Sequence, residues 1–322
     1  MSDIITPETL LSTINSVQEK MRDYAQHAFA KNTYRNYKSD WKSFCFWCEL
    51  SKIDPWACTP HILSIYITTL AEQNYKVSTI QRKLCAISTY YQYKDINLNL
   101  NDREFKAVWQ GIRRKLGIAK RGKNPILVKT LKLMLQDIPS NTNIGLRDAA
   151  LLAFGWSSAM RRSEIVALNW SDISFVDEGV IVTIRQSKTD KFGEGQKIAI
   201  LYGRHKLTCP VTHLSNWKAI SYTAEDQPVF CAVSRGNKVK HSRLSCIDVA
   251  RIVKKYIRSI GLDDSVFAGH SLRSGLITSA SKNSVPDYVI MKHSRHKSAQ
   301  MIHVYTRDQS LINDNVTGML GL

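Results

Sequence analysis

The chain is predicted to be mainly α-helical with a small antiparallel β-sheet, divided into two domains. Three features carry that prediction. Residues 1–116 hold apolar residues at helical spacing and no glycine before Gly111. The stretch GVIVTIRQSKTDKFGEGQKIAIL, Gly179 to Leu201, alternates β-branched residues, passes a glycine-containing turn and alternates again, which is a hairpin pattern. Between the two lies IRRKLGIAKRGKN, Ile112 to Asn124, dense in Lys and Arg and free of acid. A block of like charge resists compact packing, so it reads as a linker able to lie along phosphates.

In the first domain the periodicity predicts helices near 7–29, 32–50, 60–73, 78–93 and 102–116. Thr59 and Pro60 give a cap and a first-turn proline, after which Ile62, Leu63, Tyr66, Ile67 and Leu70 keep one face apolar. The helix that starts at Ser78 or Thr79 carries Gln81, Arg82 and Lys83 in its first two turns. Donors and cations there suit a helix that enters a DNA major groove, although a solvated first turn looks the same. In the second domain LRDAALLAFGWSSAM reads as a buried helix, and helices follow the hairpin near 211–220, 246–260, 271–281, 286–293 and 298–305. The domains expected are 1–116, a basic linker 117–125, and 126–322.

Charge narrows the function. Against 27 Asp and Glu stand 45 Lys and Arg, a formal +18 over 322 residues, which calls for a polyanionic partner, nucleic acid first. No apolar run approaches the ~18 residues of a spanning helix. The opening MSDIITPETLL lacks the basic and apolar regions of a signal peptide, so a cytoplasmic protein is expected. Seven cysteines, an odd number, fit reduced thiols. Cys45 and Cys48 form a lone CxxC with no second pair at zinc spacing, so packing and no metal is the expectation.

Chemistry concentrates in the second domain. Arg161 and Glu164 stand three apart among core-like residues, Lys188 sits at the tip of the first hairpin strand, and His270 and Arg273 are three apart at a helix start. His296 precedes Tyr305 by nine. Singly, each has a plain structural explanation: an intrahelical ion pair, a satisfied histidine, a packed ring. Jointly and in this order they resemble the tyrosine recombinase family, the phage integrases. Its pattern is Arg, a hairpin Lys, His-x-x-Arg, then His or Trp nine residues before a nucleophilic Tyr. The layout is closest to the Cre recombinase branch, whose DNA-contacting helix start is similar to KVSTIQRKL, Lys76 to Leu84.

The resemblance implies an all-helical core-binding domain followed by a tyrosine-recombinase catalytic domain. It implies a site-specific recombinase that works through a 3′-phosphotyrosine and a four-way junction, without metal, ATP or other cofactor. Tyr305 is then the nucleophile, Lys188 the general acid, and Arg161 and Arg273 the forks on the phosphate. His270 is the acid/base partner, His296 a hydrogen-bond donor to the phosphate, and Glu164 orients the cations. Lys76, Ser78, Thr79, Gln81, Arg82, Lys83, Arg113, Arg114, Lys120, Arg121 and Lys123 become candidate DNA contacts. The expected partners are duplex DNA with inverted half-sites and further copies of the chain, a dimer per site and a tetramer in synapsis. These dock through an apolar segment with Leu311, Ile312, Val316, Met319 and Leu320. A bacterial, phage or plasmid origin is expected.

Two departures stand out. The family usually has Leu-Gly-His where this chain has Ser294-Arg295-His296, and Arg161 is followed at once by a second arginine, Arg162. Arg161 is read as the first family arginine because the acid, Glu164, follows it by three. His293 and His303 are expected at the surface. A type IB topoisomerase-like nicking-closing enzyme, a telomere resolvase and a non-catalytic DNA-binding protein on the same scaffold are the alternatives.

Overall fold

The computed structural model describes residues 31–118, 122–187, 190 and 194–303, with isolated positions at 16–18, 20, 21, 24 and 320. The chain divides into two compact units, Met1–Arg121 and Gly122–Leu322. As expected, helices dominate and the sheets are small and antiparallel. Among the described residues no helix is long and apolar enough to cross a membrane.

The first unit contains α1 (Lys31–Leu50), α2 (Pro60–Glu72), α3 (Val77–Tyr93) and α4 (Arg103–Leu116). The Thr59 hydroxyl accepts the Ile62 N–H and the Asp102 carboxylate accepts the Phe105 N–H, so side chains fix where α2 and α4 begin. Phe44, Leu63, Tyr66, Ile67, Ile80, Ile87 and Tyr91 form the core. The Tyr91 hydroxyl donates to the Pro55 carbonyl at 2.6 Å and accepts the Cys58 N–H at 3.1 Å, which ties the α1–α2 connection to α3. Cys48 packs in this core with its sulfur 4.0 Å from that of Cys58. Of the helix expected over 7–29, only helical backbone at 16–18, 20, 21 and 24 falls within the described residues. The segment read as linker from Ile112 is helical as far as Leu116, with Ile112 buried. Arg113, Arg114 and Lys115 in that last turn suit the helix dipole. Gly117 then leaves the helix at φ +71°, ψ 159°, a conformation close to glycine's own.

The second unit contains α5 (Val128–Asp137), α6 (Asn143–Ser157), α7 (Arg162–Ala167), β1 (Ile173–Val176), β2 (Gly179–Ile184) and β3 (Gln196–Leu201). It continues with α8 (Pro210–Ser221), β4 (Cys231–Val233), β5 (Val239–Arg243), α9 (Cys246–Ser259), α10 (His270–Lys282) and α11 (Asp287–Ser294). Helix α6, apolar all round from Ala149 to Phe154, is buried all round. The expected hairpin is β2–β3, with Val182 opposite Ile198. A third strand, β1, pairs on the other edge of β2, and β4 and β5 make a separate ribbon. β1 and β4 span four and three residues, too short for alternation to register in the sequence.

What positions the site is the seat of α10. The Ile126 N–H donates to the Ser271 carbonyl at 2.9 Å, and the Trp156 indole donates to the Ile126 carbonyl at 2.7 Å. The segment before α5 thus lies between α10 and the end of α6. This close approach depends on Gly275, where an added Cβ would stand 2.0 Å from the Ile126 carbonyl oxygen. Gly275→Ala is expected to lower stability by about 1–3 kcal/mol, the range for overpacking, because backbone rather than a flexible side chain must yield. Chemical denaturation of the two proteins measures it, and equal midpoints would rule out the clash.

Candidate active site

Three chain segments of the second unit meet at the site. The first is the turn 158–161 between α6 and α7. Ala159 there adopts φ +48°, uncommon for a residue other than glycine, and turns the chain so that Arg161 caps α7. The Arg161 N–H donates to Glu164 Oε2 at 2.9 Å and its Nη1 donates to Oε1 at 2.7 Å. Sequence left a choice between two adjacent arginines. Arg161 is the half-buried one held on the carboxylate, whereas Arg162 is exposed with its stem beside Gly269.

The second segment is the start of α10. His270 is its first residue and is exposed, and Arg273, one turn on, is 1% exposed. The Arg273 guanidinium donates from Nη1 to the Ala159 carbonyl at 2.6 Å and from Nη2 to His296 Nε2 at 3.0 Å. The third segment is the turn after α11. Arg295, at φ +61°, closes that helix and sends Nη2 to Glu164 Oε2 at 2.8 Å. His296 follows, 7% exposed, with Nδ1 2.7 Å from the Ser294 hydroxyl oxygen.

These contacts assign the imidazole. The Ser294 hydroxyl spends its one proton on the Ile290 carbonyl at 2.6 Å, so toward His296 it can only accept. Nδ1 therefore carries the proton, and Nε2 presents its lone pair to Arg273. The electrostatics agree: burial, then the charges of Arg273, Arg161, His270 and Arg295, push the His296 pKa down to about 4. His270 moves the same way, because the protein walling off part of its ring disfavours the charged form and Arg273, Arg161 and Arg162 add repulsion. Burial by itself would raise the Glu164 pKa. The Arg295 charge and the Arg161 hydrogen bonds outweigh it and hold the carboxyl below its ordinary value.

Arg161, Glu164, His270, Arg273 and His296 are thus brought together, and Arg295 joins them. Lys188, Tyr305, Lys120 and Arg121 lie outside the described residues, as does the tail from 304 except Leu320. The only sign of Arg295 in the sequence was the replaced glycine of the family pattern. His293, expected at the surface, is half-buried, and its Nε2 donates to the Ser157 carbonyl at 2.7 Å, so it braces the same turn as Arg273. His303 is exposed and bonds Asp287.

In the first unit Lys76, Ser78, Gln81, Arg113 and Arg114 are exposed, Thr79 and Arg82 partly so. Lys83 is a correction: it is 6% exposed, its ammonium donates to the Ser43 hydroxyl at 3.0 Å and it lies 3.6 Å from Asp40. A buried Asp40 needs a counter-charge, and both Lys83 and Arg82 supply it. In the second unit the exposed Lys123 donates to the Ser265 carbonyl at 2.5 Å.

Residues 128–311 match the phage integrase family and residues 23–95 match the phage integrase N-terminal SAM-like domain. An integrase/recombinase xerD homolog of Selenomonas ruminantium is 36% identical over 289 residues, 89% of this chain and 84% of its own length. The recombinase Cre of Escherichia phage P1 is 21% identical over 92% of this chain and 90% of its own. The fold is similar to that of the XerH site-specific recombinase solved bound to a palindromic difH substrate in a post-cleavage complex. The TM-score is 0.61 at 14% identity, over 83% of this chain and 72% of that one.

The buried imidazole makes a testable claim about pH. His296 binds its proton at about 4 when folded and near its ordinary value of 6.5 when unfolded, so between these the unfolded chain holds more protons. Stability is therefore expected to fall as pH drops from about 6.5 toward about 4, with His270 and His293 acting in the same direction. His296→Gln should make that fall shallower, by at most about 1.4 kcal/mol per pH unit, the contribution of one proton. Urea denaturation of both proteins across this range measures the slopes, and identical slopes would contradict the assignment.

Proposed function

The chain belongs to the phage integrase family, the tyrosine recombinases, and from that premise we propose that it is a site-specific DNA recombinase. On this reading it cleaves and rejoins strands through a 3′-phosphotyrosine and a four-way junction. The observation that carries the proposal is the shared seat of Arg161, Arg273 and His296. Two guanidiniums and an imidazole from three separate segments converge, with Glu164 and the Ala159 carbonyl fixing the cations.

Tyr305 attacks the scissile phosphorus through its phenolic oxygen. The P–O5′ bond breaks as the P–O(Tyr) bond forms, His270 takes the phenolic proton and Lys188 gives one to the departing 5′-oxygen. One phosphodiester replaces another, so the bond energy is kept for rejoining, and neither ATP nor a metal is needed. Arg161 and Arg273 hold the non-bridging oxygens, whose charge grows in the transition state. His270 suits its task, since a lowered pKa keeps it neutral and able to accept a proton. His296 starts as an acceptor from Arg273. To donate to a phosphate oxygen its Nε2 must gain a proton, and an arriving phosphate both favours that proton and draws Arg273 away.

The partner is duplex DNA with inverted half-sites, one protomer on each and two sites in a tetramer. The segment after Tyr305 joins neighbours. Residues 1–116 act as the core-binding domain, 117–125 as the basic linker and 126–322 as the catalytic domain. Lys76, Ser78, Gln81, Arg113 and Arg114 offer contacts from the first. The XerH recombinase of similar fold is solved on a palindromic DNA substrate, which supports duplex DNA as the partner.

Incubation with a randomised inverted-repeat pool, followed by denaturation, is expected to leave DNA covalently bound to Tyr305 by mass mapping and none on Tyr305→Phe. Native capture without any covalent product would reduce the protein to a DNA binder. Arg161→Ala should slow cleavage by about 10²-fold or more, with much smaller loss of affinity, as for a group that acts on transition-state charge. Affinity should also fall steeply with salt, the log–log slope changing by about 0.9 for each neutralised phosphate. A flat salt response contradicts recognition through the backbone.

A further inference from the structure

The resting site contains one side chain that this reaction does not use. Arg295 occupies the left-handed position, φ +61° and ψ 40°, that closes α11, a place where glycine sits without strain. Its side chain is 5% exposed, yet only Nη2 has an acceptor, Glu164. Nε and Nη1 are buried with no hydrogen-bond partner. A guanidinium has five N–H donors and loses its hydration on burial, so this one is held short of acceptors in a conformation that favours glycine.

Arg295 also lines a cavity of about 340 Å³ whose other charged walls are Lys197 at the start of β3, Lys292 in the last turn of α11, and Lys297, with His296 shared with the catalytic cluster. No carboxylate lines it. Lys197, Lys292 and Lys297 are exposed and form no ion pair within 4 Å among the described residues. Glu164, which holds Arg295, is already shared with Arg161. Four cations around one opening, one of them with orphaned buried donors, lack a multidentate oxyanion.

We propose that this cavity is a second phosphate site, which takes a non-scissile backbone phosphate next to the one held by Arg161 and Arg273. This rests on the recombinase reading for the identity of the DNA, but not on cleavage. Lys197, Lys292 and Lys297 neutralise the phosphate from the rim. Arg295 keeps Nη2 on Glu164 and turns one of its unpartnered N–H groups outward to the oxyanion. The same carboxylate then connects both phosphates, through Arg161 on one side and Arg295 on the other, so a strand seated in the second site aligns the first.

The test is ethylation interference on the duplex recovered from the pool, with full-length protein selected by native binding. The wild type is expected to show interference at the scissile phosphate and at one neighbour. In Lys292→Ala/Lys297→Ala, which leaves the Glu164 contacts untouched, the neighbour's signal should vanish while the scissile signal persists, and in Arg295→Gly, which relaxes the backbone, the neighbour's signal should vanish as well. The salt slope of the double variant should become shallower by about 0.9, one phosphate's worth. A neighbouring signal unchanged in both variants, or never present in the wild type, overturns the second site. Covalent capture scored on the same DNA separates the two ideas: its absence beside an intact footprint counts against the recombinase alone.

Discussion

One buried guanidinium holds this site in shape. Arg273 has almost no contact with solvent, and a desolvated cation without good partners would be strongly destabilising. It finds them in the Ala159 carbonyl, in the turn before Arg161, and in His296 Nε2, in the turn after α11. Each partner is constrained in its own right: Ala159 by its left-handed backbone, His296 by Ser294, whose proton is committed to Ile290. The consequence is a fixed tautomer, with the His296 proton on Nδ1 toward Ser294 and Nε2 turned to Arg273. His293 on the Ser157 carbonyl and Arg295 on Glu164 fasten the same turns a second and third time.

That clasp stands on apolar packing. Arg273 lies on a helix whose inner face can approach Ile126 only because Gly275 has no side chain, and the Trp156 indole caps the same carbonyl. The buried helix α6 ends directly below the turn that carries Ala159 and Arg161. Displacement of α10 would therefore move His270 and Arg273 together and leave Arg161 behind. Core packing and the geometry of the Arg161–Arg273 cluster are coupled through a few backbone atoms, which makes second-unit core substitutions a way to tune the site.

Much of this was legible in the sequence, for physical reasons. The spacing of apolar residues located α1 to α4 and α8 to α11, and the alternation of Gly179 to Leu201 revealed β2 and β3. β1 and β4 escaped notice because such short strands take their pairing from neighbours. Lys83, read as a candidate DNA contact, is buried instead: a cation in the first turns of an amphipathic helix looks available until Asp40, far away in sequence, is placed beside it. The spacing that picked out Arg161, Glu164, His270, Arg273 and His296 carries residue types but no partners. It could not show that Arg273 bonds His296, nor that Arg295, read as an irregularity in a family pattern, completes the coordination of Glu164.

The resting site is a closed chain, Ser294 to His296 to Arg273, and on the recombinase reading a phosphate has to open it. Nitrogen-15 NMR of the histidine side chains, first on the free protein at neutral pH and then with the recovered half-site duplex, reads the protonation of both ring nitrogens. The prediction is a free His296 with Nδ1 protonated and Nε2 bare, gaining a proton on Nε2 when DNA binds. A free protein with the proton already on Nε2, or a His296 signal indifferent to DNA, would contradict it.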